Sequence, residues 1–306
     1  MSKKIVTNKE KEIQTLIYTF RFINSKQIQQ FLNHKDHRRI NGWLKDLVKK
    51  GYLERDFKPI YGILTKPAVY NLTALGRKYI KHIYGYSTPK YLKRIARDSK
   101  ASKSFKIRCQ IIADWYLALF PSPKDTNGET KKNRKSQTET GIDILDYLIN
   151  VLTTGKEEGE KGAGKIPLNK LQFFTPSYFP YFLLLGKIKP DAYLRRKTTK
   201  GIAHGLLFVL DAYIPKLLLR FTIKRIFDTL SDENWEEDSI LSLSFFFLCP
   251  NNKIIIYLKR LLPSFLEKYY GSKKLAFHFA TRNQLYNWKN GKTENIKWVT
   301  FVSTDY

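Results

Sequence analysis

Residues 31–51 read FLNHKDHRRINGWLKDLVKKG. In this stretch Ile40, Trp43, Leu44, Leu47 and Val48 recur at the period of a helix, while Arg38, Arg39, Asn41 and Lys45 fall on the opposite side. Asp36 is placed to cap that helix, and Gly51 to end it in the left-handed conformation that a residue without Cβ adopts at no steric cost. Upstream, Ile13, Leu16, Ile17 and Phe20 form the apolar stripe of a first helix. Asn24 or Ser25 caps a short second one through Ile28, Phe31 and Leu32, and Asn33 and His34 make the turn into the third. Downstream, Tyr52–Arg55 and Ala68–Leu72 are β-rich and flank a segment with Pro59, Gly62, Lys66 and Pro67, after which Thr73 caps another helix. Helix, turn, helix and hairpin in this order predict a winged helix over residues 1–87.

A short helix fits the major groove of a DNA duplex, where Arg reads guanine and Asn reads adenine through paired hydrogen bonds. Arg38 and Asn41 are the reading pair expected here, with Arg39 beside them. Lys45, Lys49, Lys50, Arg55, Lys58 and Lys66 fall nearer to where phosphates would lie and would set register without carrying sequence information. Two other readings use the same residues. One is a solvated basic face; the other is a protein-pairing surface to which Phe57 and Tyr61 of the wing contribute.

Composition points the same way but less narrowly. The formal net charge is +28, and residues 1–100 hold 23 Lys and Arg against 7 Asp and Glu. A surface of this kind attracts any polyanion, and salt weakens its binding through counterion release. Lipid is disfavoured because no basic amphipathic stretch with a free apolar face stands out, so no membrane partner is expected. No apolar run reaches the length of a membrane span; Phe245–Cys249 and Tyr181–Leu185 are short enough to be buried strands. Two cysteines, Cys109 and Cys249, and five scattered histidines offer neither a disulfide framework nor zinc spacing. With no signal-peptide pattern at the N-terminus, a reducing cytoplasm is the expected setting.

The chain is long enough, at 306 residues with 42% hydrophobic content, for two cores. Thr88–Phe120 reads as a helical connector over residues 88–120, with Ile107, Ile111, Ile112, Trp115, Leu117 and Leu119 on a broad apolar face that packs back or dimerises. Residues 121–165 read as a polar linker with a short helix. The glycines of Thr153–Lys165 lack the Gly-Lys-Ser/Thr ending of a phosphate loop. From 166 to 306 the period changes. Ala192–Arg196, Leu206–Tyr213, Ile240–Cys249, Lys274–Ala280 and Ile296–Phe301 read as strands. Lys216–Leu230 reads as an amphipathic helix with Leu217, Leu218, Phe221, Ile226 and Phe227 apolar, and Asn252–Tyr270 as a helix kinked at Pro263. Strand, crossover helix and strand favour a partly parallel sheet with helices on its faces, so the chain as a whole is α+β followed by α/β. Asp232, Glu233, Glu236, Glu237 and Asp238 form an acidic, solvated loop. Trp115, Trp235 and Trp288 are core residues by default, although tryptophans also stack on single-stranded bases.

Phe22, Ile23, Gln27, Leu32, Arg39, Leu44, Gly51, Leu72, Thr73 and Gly76, followed by Lys189-Pro190-Asp191-Ala192 and Val209-Leu210-Asp211, resemble the replication-relaxation family of plasmids and mobile elements. The resemblance implies a DNA-binding winged helix joined to a mixed-sheet domain similar to restriction endonucleases, acting around replication or mobilisation. The partners expected are double-stranded DNA and replication or mobilisation proteins, and the apolar face of residues 88–120 makes a second copy of the chain a further expected partner.

Nucleases of the Pro-Asp, Asp/Glu-x-Lys type hold Mg²⁺ between carboxylates while a lysine assists the attacking water. Asp191 stands where the first carboxylate would be, and Asp211 ends the next strand. Ala212 and Tyr213 follow it, so the strand carries no lysine there, and Val209 is apolar where the family tends to have an acid. Lys216 or Lys224 would have to substitute from the helix. The favoured expectation is a nuclease-like domain that does not cut and needs no cofactor. The alternatives are a Mg²⁺-dependent endonuclease using Asp191, Asp211 and Lys216, and a protein-assembly factor that adheres weakly to DNA.

Overall fold

The computed structural model describes residues 6–57, 67–84, 95–120, 171–177, 183–198, 201–231, 240–269, 275–293 and 296–302. The stretch holding Lys58, Tyr61 and Lys66, the start of the connector, the linker 121–165 and the acidic loop with Trp235 lie outside the described residues. The chain divides into two units, Met1–Glu157 and Glu158–Tyr306.

In the first unit, α1 (Asn8–Phe20) opens with a capping box in which Thr7 and Glu10 satisfy each other's backbone N–H groups. Its stripe of Ile13, Leu16, Ile17 and Phe20 is buried. A two-residue strand β1 (Ile23–Asn24) leads into α2 (Ser25–Phe31), where Asn24 is the cap and Gln27 completes a second capping box. Helix α3 (His37–Lys49) starts at Asp36, whose carboxylate accepts the Arg38 N–H at 2.8 Å, and it buries Ile40, Leu44 and Leu47. Gly51 has φ of +82°. Its N–H donates to the Val48 carbonyl and that of Tyr52 to the Leu47 carbonyl, both at 2.9 Å, which satisfies the last carbonyls of α3.

Strands β2 (Leu53–Asp56) and β3 (Val69–Leu72) then pair antiparallel, with β1 on the far side of β3. The Thr73 hydroxyl donates to the Gly51 carbonyl at 2.6 Å and accepts the Gly76 N–H at 3.1 Å, starting α4 (Ala74–Tyr84). A Cβ at Gly76 would lie 2.2 Å from the Tyr52 carbonyl oxygen, so only glycine allows α4 to press onto the strand entry.

Helix α5 (Lys103–Leu119) lies within the span read as a connector, and it packs against α1, α2 and β1 of this unit. The contact is polar at one end and aromatic at the other. The Gln27 amide donates to the Gln110 carbonyl and the Asp114 carboxylate, both at 2.8 Å, while Tyr116 meets Phe20, Phe31 and Phe120. Trp115 is buried, in keeping with a core role.

The second unit is a six-stranded mixed sheet in chain order. Its strands are β4 (Leu171–Phe174), β5 (Ala192–Thr198), β6 (Gly201–Val209), β7 (Ile240–Cys249), β8 (Leu275–Thr281) and β9 (Val299–Val302). The outer pairs are antiparallel and β6–β7–β8 are parallel. Helix α6 (Leu183–Lys187) precedes β5, α7 (Lys216–Leu230) crosses from β6 to β7, and α8 (Asn252–Leu261) and α9 (Pro263–Leu266) cross from β7 to β8. Register places Phe208, Phe245, Phe247, Phe277 and Phe279 on one sheet face, where their rings stack across strands and Phe227 of α7 stacks on Phe277 at 5.5 Å.

Three expectations change, and one helix is added. Of the run Tyr181–Leu185, expected as a strand, the described part from Leu183 opens α6 instead, since a short apolar run fits either element. The strand read as Leu206–Tyr213 stops at Val209 and turns. Pro263 breaks the long helix into α8 and α9, lacking the N–H that would continue it. Finally, α10 (Arg282–Lys289) follows β8 directly, started by a capping box of Thr281 and Gln284. Among the described residues no helix is long and apolar enough to cross a membrane.

Tyr193 and His204, on neighbouring strands of the sheet, form a buried hydrogen bond of 2.7 Å. Burial, aided by the Arg195 charge, lowers the His204 pKa from 6.5 to about 4. Above pH 6.5 the imidazole is neutral in both folded and unfolded chains. Between 6.5 and 4 only the unfolded chain takes up the proton, so stability falls through that window, by about 3 kcal/mol at its lower end. Urea unfolding of His204→Gln at several pH values is expected to show a shallower acid loss than the parent; equal slopes would contradict this assignment.

Candidate functional site

Helix α3 presents one continuous exposed face. Arg38, Arg39, Asn41, Lys45 and Lys49 are all exposed on it. Arg38, Asn41 and Lys45 are spaced three and four residues apart and so line a single stripe. Asn41 hydrogen-bonds His37 Nδ1 at 3.2 Å, and His37 Nε2 lies 3.3 Å from the Ser25 hydroxyl, so the start of α3 is tied to the start of α2. Gly42 lies on the same face with no atom within 4 Å of where a Cβ would stand, which leaves the backbone approachable from outside. Asp46 is the acid on this face, and it weakens the field toward the C-terminal half of the helix.

Of the cations expected to lie near phosphates, one is held inside the fold. Lys50 is bound into the fold, its ammonium 2.6 Å from the buried Glu10 carboxylate. Arg55 is exposed on β2 and lies 4.5 Å over the Phe57 ring, so cation and aromatic form one exposed surface at the end of that strand. Lys58 and Lys66 are among the residues outside the description.

The carboxylates of the second unit lie at the ends of β5 and β6. The Asp191 N–H donates to the Leu207 carbonyl at 2.7 Å, and its carboxylate accepts the Val209 N–H at 2.8 Å, so this side chain clips the two strands together. Val209 is buried. Asp211 follows in the turn, with Oδ1 buried and without a hydrogen-bond partner. Lys216 is exposed at the start of α7 and its ammonium lies 5.6 Å over the Tyr257 ring.

Sequence reasoning missed Arg282, the first residue of α10, whose guanidinium donates to the carbonyl of Leu210, the residue before Asp211. The Thr281-x-x-Gln284 spacing was the signal that would have found this helix start. Its charge also acts on Cys249, but burial dominates and raises that thiol to about 12, which excludes a reactive thiolate. Among the described residues no group of three or more His, Cys, Asp and Glu could hold a metal ion. Asp191 spends a carboxylate oxygen on the backbone, Val209 supplies no ligand, and no strand lysine follows. Asp191 and Asp211, with no strand lysine beside them, are what this strand end offers a metal-dependent reaction.

A family model described as replication-relaxation matches residues 15–211, and the chain belongs to that family. The match spans α1 through the end of β6, and thus both the α3 face and the two strand-end acids. No curated protein sequence matches the chain. Among solved structures, the restriction endonuclease FokI is similar with a TM-score of 0.32 and 12% identity, over 96% of this chain and 47% of that one. The chain thus spans about half the length of that structure, and a likeness of this size carries no argument.

Proposed function

We propose that the first unit is a winged helix that binds double-stranded DNA with sequence preference through the α3 face, and that the protein acts in replication or mobilisation of a plasmid or mobile element. The observation that carries this reading is the exposed stripe of Arg38, Asn41 and Lys45, on a helix whose opposite side is buried and whose ends are both capped. A merely solvated face needs no such fixation, whereas base readout needs side chains held on a rigid element. Membership in the replication-relaxation family supports the cellular role.

The second unit is read as a nuclease-like sheet that does not cut. Asp191 acts as a strand clip, and Arg282 bridges the strand end where a metal-dependent enzyme would gather ligands. The test selects bound duplexes from a random pool and then incubates the winners with the full chain and Mg²⁺ or Mn²⁺. Enrichment of a common site that stays intact is the expected result. Nicking that disappears in Asp191→Ala or Asp211→Ala would replace this reading with the endonuclease, and recovery of unrelated sequences would remove the base readout.

A further inference from the structure

Helix α7 carries two apolar faces. Leu219, Ile223, Ile226, Phe227 and Leu230 are buried toward the sheet, whereas Leu217, Leu218 and Phe221 point away and are 61%, 54% and 56% exposed. The sequence reading grouped these three with the packing stripe. One helix cannot bury both sets against one sheet, and the stripe through Ile223 and Ile226 is the one that meets the phenylalanine ladder. Tyr213, just before the helix, is 97% exposed. The Tyr257 hydroxyl of helix α8 donates to the Lys216 carbonyl at 3.2 Å, and Ile256 of the same helix is also exposed.

The exposed charges of the two helices are mostly basic. Arg220, Lys224 and Arg225 are on α7, and Lys253 and Lys259 on α8. Asp228, near the far end of α7, is the exposed acid of the two helices.

We propose that this outer face of α7 and α8 docks onto anionic lipid bilayers. The chemistry favours that occupant over others. A duplex would satisfy the cations but leave Leu217, Leu218 and Phe221 against hydrated phosphates. A second copy would bring two sets of like charges together in a chain of net charge +28. At an anionic bilayer the leucines and phenylalanine enter the headgroup region while arginine and lysine stems lie along apolar surface and their charged ends reach lipid phosphates.

The experiment uses the full chain with vesicles of phosphatidylcholine alone or mixed with phosphatidylglycerol, and measures affinity for a selected duplex in parallel. Sedimentation with mixed vesicles is expected to exceed that with neutral ones by about tenfold, and Leu217→Ser with Phe221→Ser to abolish about nine-tenths of it. Duplex affinity should not change. Because both positions are exposed, an unaltered thermal transition will show that the fold is kept. An environment-sensitive dye on Leu218→Cys should shift to the blue on adding mixed vesicles. Vesicle binding that survives the serine substitutions would reduce the effect to net charge and overturn the proposal. So would a dye shift that appears without vesicles as protein concentration rises, which would assign the face to a second copy. A dye that never leaves water with any vesicle would leave the face to a protein partner and equally overturn it.

Discussion

Replacing Arg38, Asn41 and Lys45 together by alanine is expected to weaken binding to a selected duplex by about three orders of magnitude. Two base-reading pairs contribute roughly 1–3 kcal/mol each, and a phosphate contact adds a smaller, salt-dependent part. All three side chains are exposed, so little packing is lost, and alanine is the better helix former at each position. Thermal unfolding should therefore stay at or slightly above that of the parent. Fluorescence anisotropy at fixed ionic strength measures the loss. The salt slope should fall by about one when Lys45 alone is removed. Unchanged affinity in the triple variant would leave the basic face as a solvated surface.

Asp98→Ala is expected to destabilise the first unit by about 2–4 kcal/mol, since it removes the buried partner of a mostly buried cation. Asp98 is 1% exposed and holds the Arg21 guanidinium, with the Nε contact at 3.2 Å. Arg21 sits at φ of +67° in the turn between α1 and β1, and its guanidinium lies 4.4 Å over the Phe105 ring. The pair thus ties the end of α1 to the short 3₁₀ turn Asp98–Lys100 and to α5. Urea unfolding of the full chain, followed by Trp115 fluorescence, is the measurement. The double variant Arg21→Met with Asp98→Leu should recover most of the loss, because an apolar pair leaves no unpaired charge behind. A loss below about 1 kcal/mol in Asp98→Ala would show that the pair is solvated.

These two results bear on parts of the molecule that differ in how far they can be read from residues alone. The α3 face is legible because local rules agree there: Asp36 caps, Gly51 terminates, and the apolar period leaves Arg38, Asn41 and Lys45 outward. The Arg21–Asp98 pair is not legible, since 77 residues separate its members and only the tertiary fold brings them together. The strands β6, β7 and β8 are recognisable as β-rich runs, but β6 ends earlier than its apolar pattern suggests, because the chain turns where Asp191 takes the Val209 N–H. Arg282 was overlooked because α10 begins without a loop, immediately after a strand. On α7 the pattern holds more apolar residues than one packing stripe needs. Period alone does not say which of Leu217, Leu218 and Phe221 or Leu219, Ile223 and Ile226 goes inward.

The most direct test of DNA reading by α3 is the base-preference profile of Asn41→Ala, obtained by repeating the duplex selection with that single variant. Loss of preference at one adenine position, with the remaining positions unchanged, is the predicted result. A profile identical to that of the parent at every position would contradict it.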